Sequence, residues 1–196
     1  MNNPYIVGKR VYLRSLERED LKKGYRGWLN DSETNRYLAS GIFPTSSKEL
    51  EDYYEKVTSS KTDVMFAICL KKTDKYIGNA KIGGIDWVAR RAFPGRLIGD
   101  KKYRGKGYGT EVMYLLLKYA FETLNLNRIY NVVLIENEAS VKSCERLGFA
   151  KEGRFREFTY REGRYIDAVQ LAMTQKTYFR LKSKGIFERA LKGKRL

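Results

Sequence analysis

The chain has 196 residues, of which 42% are hydrophobic and 32% charged, a composition typical of a globular protein with a sizeable core. It contains no histidine and only two, widely separated, cysteines, which excludes histidine-based catalysis, histidine metal sites and a disulfide framework. The formal net charge of +16 favours anionic ligands or partners.

The distribution of apolar residues predicts a single α/β domain over residues 1–196. No apolar run approaches the ~20 residues of a membrane helix, and the first residues lack the layout of a signal peptide, so we expect a cytoplasmic protein. The predicted strands are 11–16, 64–70, 76–86, 96–100, 128–135, 149–160 and 164–174, with a loop at 90–94. A short helix is predicted from residue 18, and longer helices over 25–38, 50–57, 111–121 and 139–147.

The end of the chain is strongly basic. Residues 176–196 hold eight Lys or Arg residues against a single acid, Glu188. We place the folded core at about residues 8–180 and predict a basic tail over 181–196, whose removal would spare the turnover of a small molecule. Such a tail would suit a ribosome or another anionic partner, or would serve solubility alone.

The most informative segment is a glycine-rich turn, Arg104-Gly105-Lys106-Gly107-Tyr108-Gly109-Thr110, between a predicted strand and a predicted helix. Glycines let the backbone pass close to a phosphate, and the free amides at the start of a helix point at it. Arg104 and Lys106 add full positive charges. Neither a dinucleotide fingerprint nor a Walker A loop fits the glycine spacing. We therefore expect a pyrophosphate to bind at this turn.

Two segments together resemble the GNAT N-acetyltransferases. Arg104-x-x-Gly107-x-Gly109 is similar to the Q/R-x-x-G-x-G/A acyl-CoA loop of that superfamily. The segment 137–149, which begins 28 residues after Gly109, resembles its N-x-x-S/A-x-x-x-Y-x-x-x-G-F motif. Further segments are similar to the RimJ/RimL-like branch, so the resemblance covers about residues 8–180. It implies an α/β fold with a mixed, mainly antiparallel central sheet and helices on both faces.

The resemblance implies acetyl-CoA as co-substrate and direct attack of an amine on its thioester. The pantetheine arm would lie along the strand Leu97-Ile98-Gly99-Asp100, where separation from the next strand would leave backbone amides free. Asn137 matches the family asparagine that contacts pantetheine and is also a candidate N-cap, because its side chain has two polar ends. The expected cofactor-binding residues are completed by Arg104, Gly105, Lys106, Gly107, Tyr108, Gly109, Thr110 and Ser140.

Two positions depart from the family pattern. The tyrosine that often protonates the leaving thiolate is replaced by Cys144, which could donate a proton or be a small core residue. The glutamate that serves some members as a base is also missing, because its place is taken by Phe93 and Pro94. The remaining candidate bases are Asp86, Glu157 and Asp167. The alternative for each is an ion-paired role at the surface, and the amine would then lose its proton through water.

The acceptor pocket is expected between the N-terminal helices and the closing hairpin. Aromatic side chains there could stack on a base or a sugar, and arginines could bind phosphates. Ordinary packing is the alternative for each. The candidate substrate-binding residues are Trp28, Asn30, Arg36, Tyr37, Tyr160 and Tyr165.

The acceptor that we rank first is a nucleotide-linked amino sugar. Residues 28–167 resemble amino-sugar acetyltransferases, and a basic surface would favour a diphosphate. N-terminal acetylation of a ribosomal protein ranks second, and acetylation of a polyamine or an antibiotic amine third. A non-enzymatic acyl-CoA-sensing or ribosome-binding module is the alternative of a different class. We also consider a homodimer.

Overall fold

An eight-stranded sheet forms the centre of the protein in the computed structural model, which describes residues 1–192. Its spatial order is β1-β2-β3-β4-β5-β6-β8-β7, and neighbours are antiparallel except for β5 and β6, which are parallel. The strands are β1 (Ile6–Val7), β2 (Val11–Ser15), β3 (Val64–Leu70), β4 (Tyr76–Asp86), β5 (Arg91–Ile98), β6 (Arg128–Leu134), β7 (Ala150–Arg161) and β8 (Arg164–Thr174).

Helices fill the connections and cover both faces of the sheet. No helix within residues 1–192 is long and apolar enough to span a bilayer. The α-helices are α1 (Arg18–Asp20), α2 (Arg26–Leu29), α3 (Ser32–Asn35), α4 (Ser47–Thr58), α5 (Tyr108–Lys118), α6 (Glu138–Arg146), α7 (Gln175–Ser183) and α8 (Ile186–Leu191). π-helical segments extend α1 and α5 over Leu21–Tyr25 and Tyr119–Thr123. Short 3₁₀-helices occupy Ala39–Ile42 and Lys101–Tyr103.

The alternation of side chains along each strand divides the core between the two faces of the sheet. On β2, Val11 and Leu13 join the larger cluster, which includes the buried face of α5, whereas Tyr12 joins the smaller cluster of the N-terminal helices. Cys69 of β3 lies wholly buried in that smaller cluster. The mixed, mainly antiparallel sheet with helices on both faces is the predicted fold, and it is confirmed.

Two local predictions are wrong. The segment 90–94, predicted as a loop, contains the start of β5, because Ala92 and Phe93 pair with Ile129 and Gly83 on the neighbouring strands. The single helix predicted over 25–38 is broken between α2 and α3. Asp31 forms the break, since its carboxylate accepts a hydrogen bond from the Thr34 amide at 2.8 Å and so caps a new helix.

The basic tail predicted over 181–196 is also corrected, for the residues up to 192. They continue α7 into α8, and Phe187 and Ala190 of α8 are 0% and 2% exposed in the larger core cluster. The Phe187 ring lies 5.1 Å from those of both Tyr114 and Tyr178, centroid to centroid. Residues 193–196 lie outside the described part of the chain. The basic side chains therefore project from a packed helix.

Candidate functional site

The glycine-rich turn joins the end of β5 to the start of α5. Gly105 and Gly107 adopt φ angles of 69° and 80°, a left-handed conformation that L side chains rarely take. Gly107 is the N-cap of α5, so the amides of the first turn, from Tyr108 onward, lack helical partners and face outward from the helix end. The local geometry of an anion site, expected from the sequence, is therefore present.

Arg104 uses its guanidinium to hold this turn against the end of β5. Its Nε donates to the Ile98 carbonyl at 2.9 Å, and its Nη2 donates to the Gly99 carbonyl at 2.9 Å and to the Thr34 hydroxyl at 2.6 Å. Arg104 lines the cavity beside the turn, but most of its donors are already engaged. Arg104 therefore has a positioning role, and its expected role as a direct phosphate ligand stays a prediction.

A cavity of about 400 Å³ lies between the glycine-rich turn and α6. Four basic side chains line it and no carboxylate does, within the described residues. Its position and charge suit a phosphate-bearing ligand. The lining residues are Arg96, Ile98, Tyr103, Arg104, Gly105, Gly107, Gly109, Thr110, Asn137, Ala139, Ser140, Lys142, Ser143 and Arg146.

Five of the residues expected to bind the cofactor lie outside this lining. Leu97 packs with the smaller core cluster, and the amides of Gly99 and Asp100 both donate to the Ile77 carbonyl, so they are not free for a pantetheine arm. The Lys106 side chain is exposed. The Tyr108 ring lies beneath the guanidinium of Arg10 at 4.5 Å.

Strands β5 and β6 separate soon after they meet. Their pairing is confined to Arg91 with Arg128 and Ala92 with Ile129. A second cavity of about 260 Å³ lies along the separated strands, and the separation implied by the family resemblance is therefore present. Its lining residues are Tyr37, Leu38, Pro94, Gly95, Arg96, Met113, Asn131, Val132, Val133, Leu134, Asn137, Ser140, Phe158, Thr159 and Arg161.

Three residues line both cavities and so mark their junction: Arg96, Asn137 and Ser140. The Asn137 side chain accepts a hydrogen bond from the Ser140 amide at 3.2 Å, which confirms the predicted N-cap of α6. Arg96 was missed by the sequence analysis, as were Lys142, Ser143, Arg146 and Arg161. A basic residue within a strand or on a helix does not by itself indicate a binding site. These residues stand out only in the structure, where they line the same two cavities.

None of the three candidate catalytic residues lines either cavity. Cys144 is 0% exposed in the larger core cluster, so its thiol is placed for packing and not for proton donation. Asp86 accepts from the amides of Ala89 and Val88 in a turn and pairs with Arg91. The hydrogen bond from Ala89, followed by the Val88 bond and the Arg91 charge, holds the pKa of Asp86 below its usual value. A carboxyl group with a lowered pKa is a weaker base.

Asp167 has a similar environment on the closing hairpin. Its carboxylate accepts from the Glu157 amide at 2.8 Å and pairs with Arg154, with Nε at 2.6 Å. These contacts, the Glu157 amide first, lower its pKa. The structure therefore gives Asp167 an ion-paired role in the hairpin.

Of the six candidate acceptor residues, Tyr37 alone lines the second cavity. Trp28 packs on Tyr76, with ring centroids 4.9 Å apart, and fills the space beside Gly99. The Tyr160 and Tyr165 rings pair on the exposed hairpin at 5.1 Å. Arg36 stacks on the Tyr37 ring at 4.9 Å, and Asn30 bonds to Thr45 at a separate surface cleft.

The chain matches known acetyltransferases in sequence and in structure. The family model described as an acetyltransferase (GNAT) domain matches residues 10–150. An uncharacterized N-acetyltransferase, p20, of Bacillus licheniformis is 32% identical over 176 residues, covering 88% of this chain and 97% of the relative. Spermidine N(1)-acetyltransferase of Escherichia coli (strain K12) is 30% identical over 168 residues, covering 86% of this chain and 88% of the relative.

Among solved structures, spermidine N-acetyltransferase from Vibrio cholerae in complex with CoA and spermine superposes with a TM-score of 0.80. It is 29% identical, and the match covers 87% of this chain and 98% of that one. The glycine-rich turn, the separated strands and these matches lead to one assignment. The chain belongs to the GNAT family of acetyl-CoA-dependent N-acetyltransferases.

Proposed function

We propose that the protein acetylates the primary amine of a small acceptor that also carries negative charge, with a nucleotide-linked amino sugar as the class. The observation that supports this choice is the charge of the second cavity. Its charged lining residues are Arg96 and Arg161, and no carboxylate lines it within the described residues. Unpaired cations repel a polycationic acceptor and attract a diphosphate.

The residues of the first cavity fit acetyl-CoA. The outward amides at the start of α5 would bind the pyrophosphate, and Lys142 and Arg146 of α6 would add charge. Gly109 lines this cavity beside Arg96, since a Cβ atom at Gly109 would lie 3.4 Å from Arg96 Nε, at ordinary contact distance. When bound, acetyl-CoA supplies an activated acyl group next to the second cavity.

The chain's own part in the transfer is positioning and charge stabilisation. Asn137, which lines both cavities, is fixed by the capping bond that its side-chain oxygen accepts from Ser140, and its amide nitrogen is left to donate to a ligand. No Asp or Glu lines either cavity in residues 1–192, so the proton of the attacking amine would pass to water. A neutral amine is required, and the arginines of the site favour the neutral form by repelling an ammonium ion.

Polyamine acetylation is the second candidate, favoured by the relatives that carry that activity in their names. The Escherichia coli and Vibrio cholerae proteins act on spermidine, and their matches extend over more than four fifths of this chain. The absence of carboxylates from the described cavity lining speaks against the same acceptor here.

The test is CoA release from acetyl-CoA with three acceptors: a UDP-linked amino sugar, spermidine, and a peptide with a ribosomal-protein N-terminus. Saturable turnover with the amino sugar, and little with spermidine, is expected. Preferential turnover of spermidine or of the peptide would overturn the proposed acceptor class. Free amino sugar without the diphosphate is the matched control, and it should give a KM about tenfold higher if charge carries recognition.

A further inference from the structure

Arg96 occupies an unusual position between the two cavities. It projects from β5 after that strand has separated from β6, and it lines both cavities. Its Nη1 atom is buried and has no hydrogen-bond partner among residues 1–192. A buried donor without a partner is costly to keep, so such a group in a cavity points to a ligand that completes it.

The charge of Arg96 is uncompensated as well. The charged or titratable groups that line the two cavities with it are either cationic or tyrosines: Arg104, Lys142, Arg146, Arg161, Tyr37 and Tyr103. No ion pair of Arg96 exists within the described residues. The guanidinium of Arg96 is therefore suited to a negatively charged ligand group, and three groups could provide that charge: the pyrophosphate, an acceptor anion and the departing thiolate.

The position of Arg96 favours the last of these. The pyrophosphate has its own donors at the start of α5 and on α6. Arg161 is the cation of the second cavity that the acceptor would meet. Arg96 lies at the junction, where the acyl arm would pass from one cavity to the other and where charge would develop during acetyl transfer.

We propose that Arg96 is a catalytic residue that stabilises the thiolate of CoA as it leaves. In the transfer, the amine nitrogen forms a bond to the acetyl carbonyl carbon and the carbon–sulfur bond breaks. The electron pair of that bond remains on sulfur, next to the guanidinium, and the proton of the amine passes to water. Arg96 would thereby replace the proton donor that the buried Cys144 does not provide. The inference rests on acetyl transfer at this site and not on the identity of the acceptor.

The experiment measures the pKa of the thiol of CoA bound to the protein, from the ultraviolet absorbance of the thiolate during a pH titration. Protein saturated with desulfo-CoA is the blank, which removes the tyrosine signal. In the wild-type protein the thiol pKa should lie about one unit below that of CoA free in solution, titrated in the same way. Arg96→Met should return it to that value or above, and Arg96→Lys, which keeps the charge, should retain part of the shift.

Arg146→Met is the matched control, because Arg146 lines the first cavity alone. At saturating CoA it should leave the thiol pKa where the wild type has it. Equal thiol pKa values in the wild type and Arg96→Met would overturn the proposal. So would weaker CoA binding by Arg96→Met without a change in thiol pKa, since Arg96 would then be a phosphate ligand. Because no acceptor is present, failure of the acceptor assignment leaves this result unaffected.

Discussion

Arg10 and Glu111, 101 residues apart, join the start of β2 to the glycine-rich turn and α5. The Glu111 carboxylate is buried, with 2% of the residue exposed, and accepts from the Arg10 amide at 2.7 Å and from Arg10 Nε at 2.8 Å. Arg10 Nη1 also donates to the Lys106 carbonyl at 2.8 Å. One guanidinium thus fixes both the first turn of α5 and the loop that precedes it.

Arg10→Met should weaken the fold and the binding of CoA together. It removes a charged partner from a buried carboxylate, for which we expect a loss of about 1–3 kcal/mol in the free energy of unfolding. The loss is limited because the backbone amides of Arg10 and Val11 still donate to that carboxylate. CoA affinity should fall because the loop loses its bond at Lys106. Urea unfolding and calorimetric titration with CoA measure the two effects. The exposed neighbour Lys9, mutated to Met, is the control and should change neither quantity.

The C-terminal helix is a stability element. Phe187→Ala should lower the free energy of unfolding by about 3–5 kcal/mol, because it removes a fully buried ring from the core. Lys184→Ala, at an exposed position in the same segment, should change it by less than about 0.5 kcal/mol. Equal stability of the two variants in urea would contradict the packed helix and restore the predicted tail.

The parts of the site that depend on neighbouring residues could be predicted from sequence. The glycine-rich turn and the Asn137 cap each depend on a few consecutive residues, and both are present in the structure. Arg96 could not be found in this way, because an arginine in a strand is ordinary until β6, some 30 residues further on, separates from it. The basic charge of the segment 181–196 concealed Phe187 and Ala190 of α8, whose spacing of three residues was the available signal of a buried face.

Asp31 should contribute stability that acid removes. Hydrogen bonds from the Thr34 side chain and then from Lys101 lower the pKa of Asp31 from 3.8 to about 2. A depressed folded-state pKa means that the contribution is fully present above the unfolded-state value and is lost as the pH falls from about 4 to about 2.

Asp31→Asn is the matched variant, since asparagine also caps helices but does not titrate in this range. The free energy of unfolding, measured between pH 5 and pH 2, should depend less steeply on pH in this variant. An unchanged slope would show that the carboxylate gains nothing from its contacts with Thr34 and Lys101.

Arg161 should determine recognition of an anionic acceptor. It lines the second cavity, and its Nη2 donates to the Leu38 carbonyl, which orients the guanidinium. Arg161→Met should raise the KM for a UDP-linked amino sugar about tenfold, as expected for the loss of one charge-assisted contact, with the KM for acetyl-CoA unchanged. Arg164→Met is the control, because Arg164 pairs with Glu136 and lines neither cavity. Faster turnover of spermidine by Arg161→Met would also support this role, because the variant would no longer repel a polycationic acceptor.

Arg96 should be a residue that costs stability. Its buried Nη1 has no partner in residues 1–192, so Arg96→Met removes an unsatisfied donor and an unpaired charge while keeping most of the side-chain volume. We expect the free energy of unfolding in urea to rise by about 1 kcal/mol. Arg91→Met, on the same strand but paired at the surface with Asp86, should leave it within about 0.5 kcal/mol. A destabilised Arg96→Met variant would mean that the guanidinium has partners within the fold. A more stable variant with slower acetyl transfer is the expected result, because a catalytic group can lower the stability of the protein.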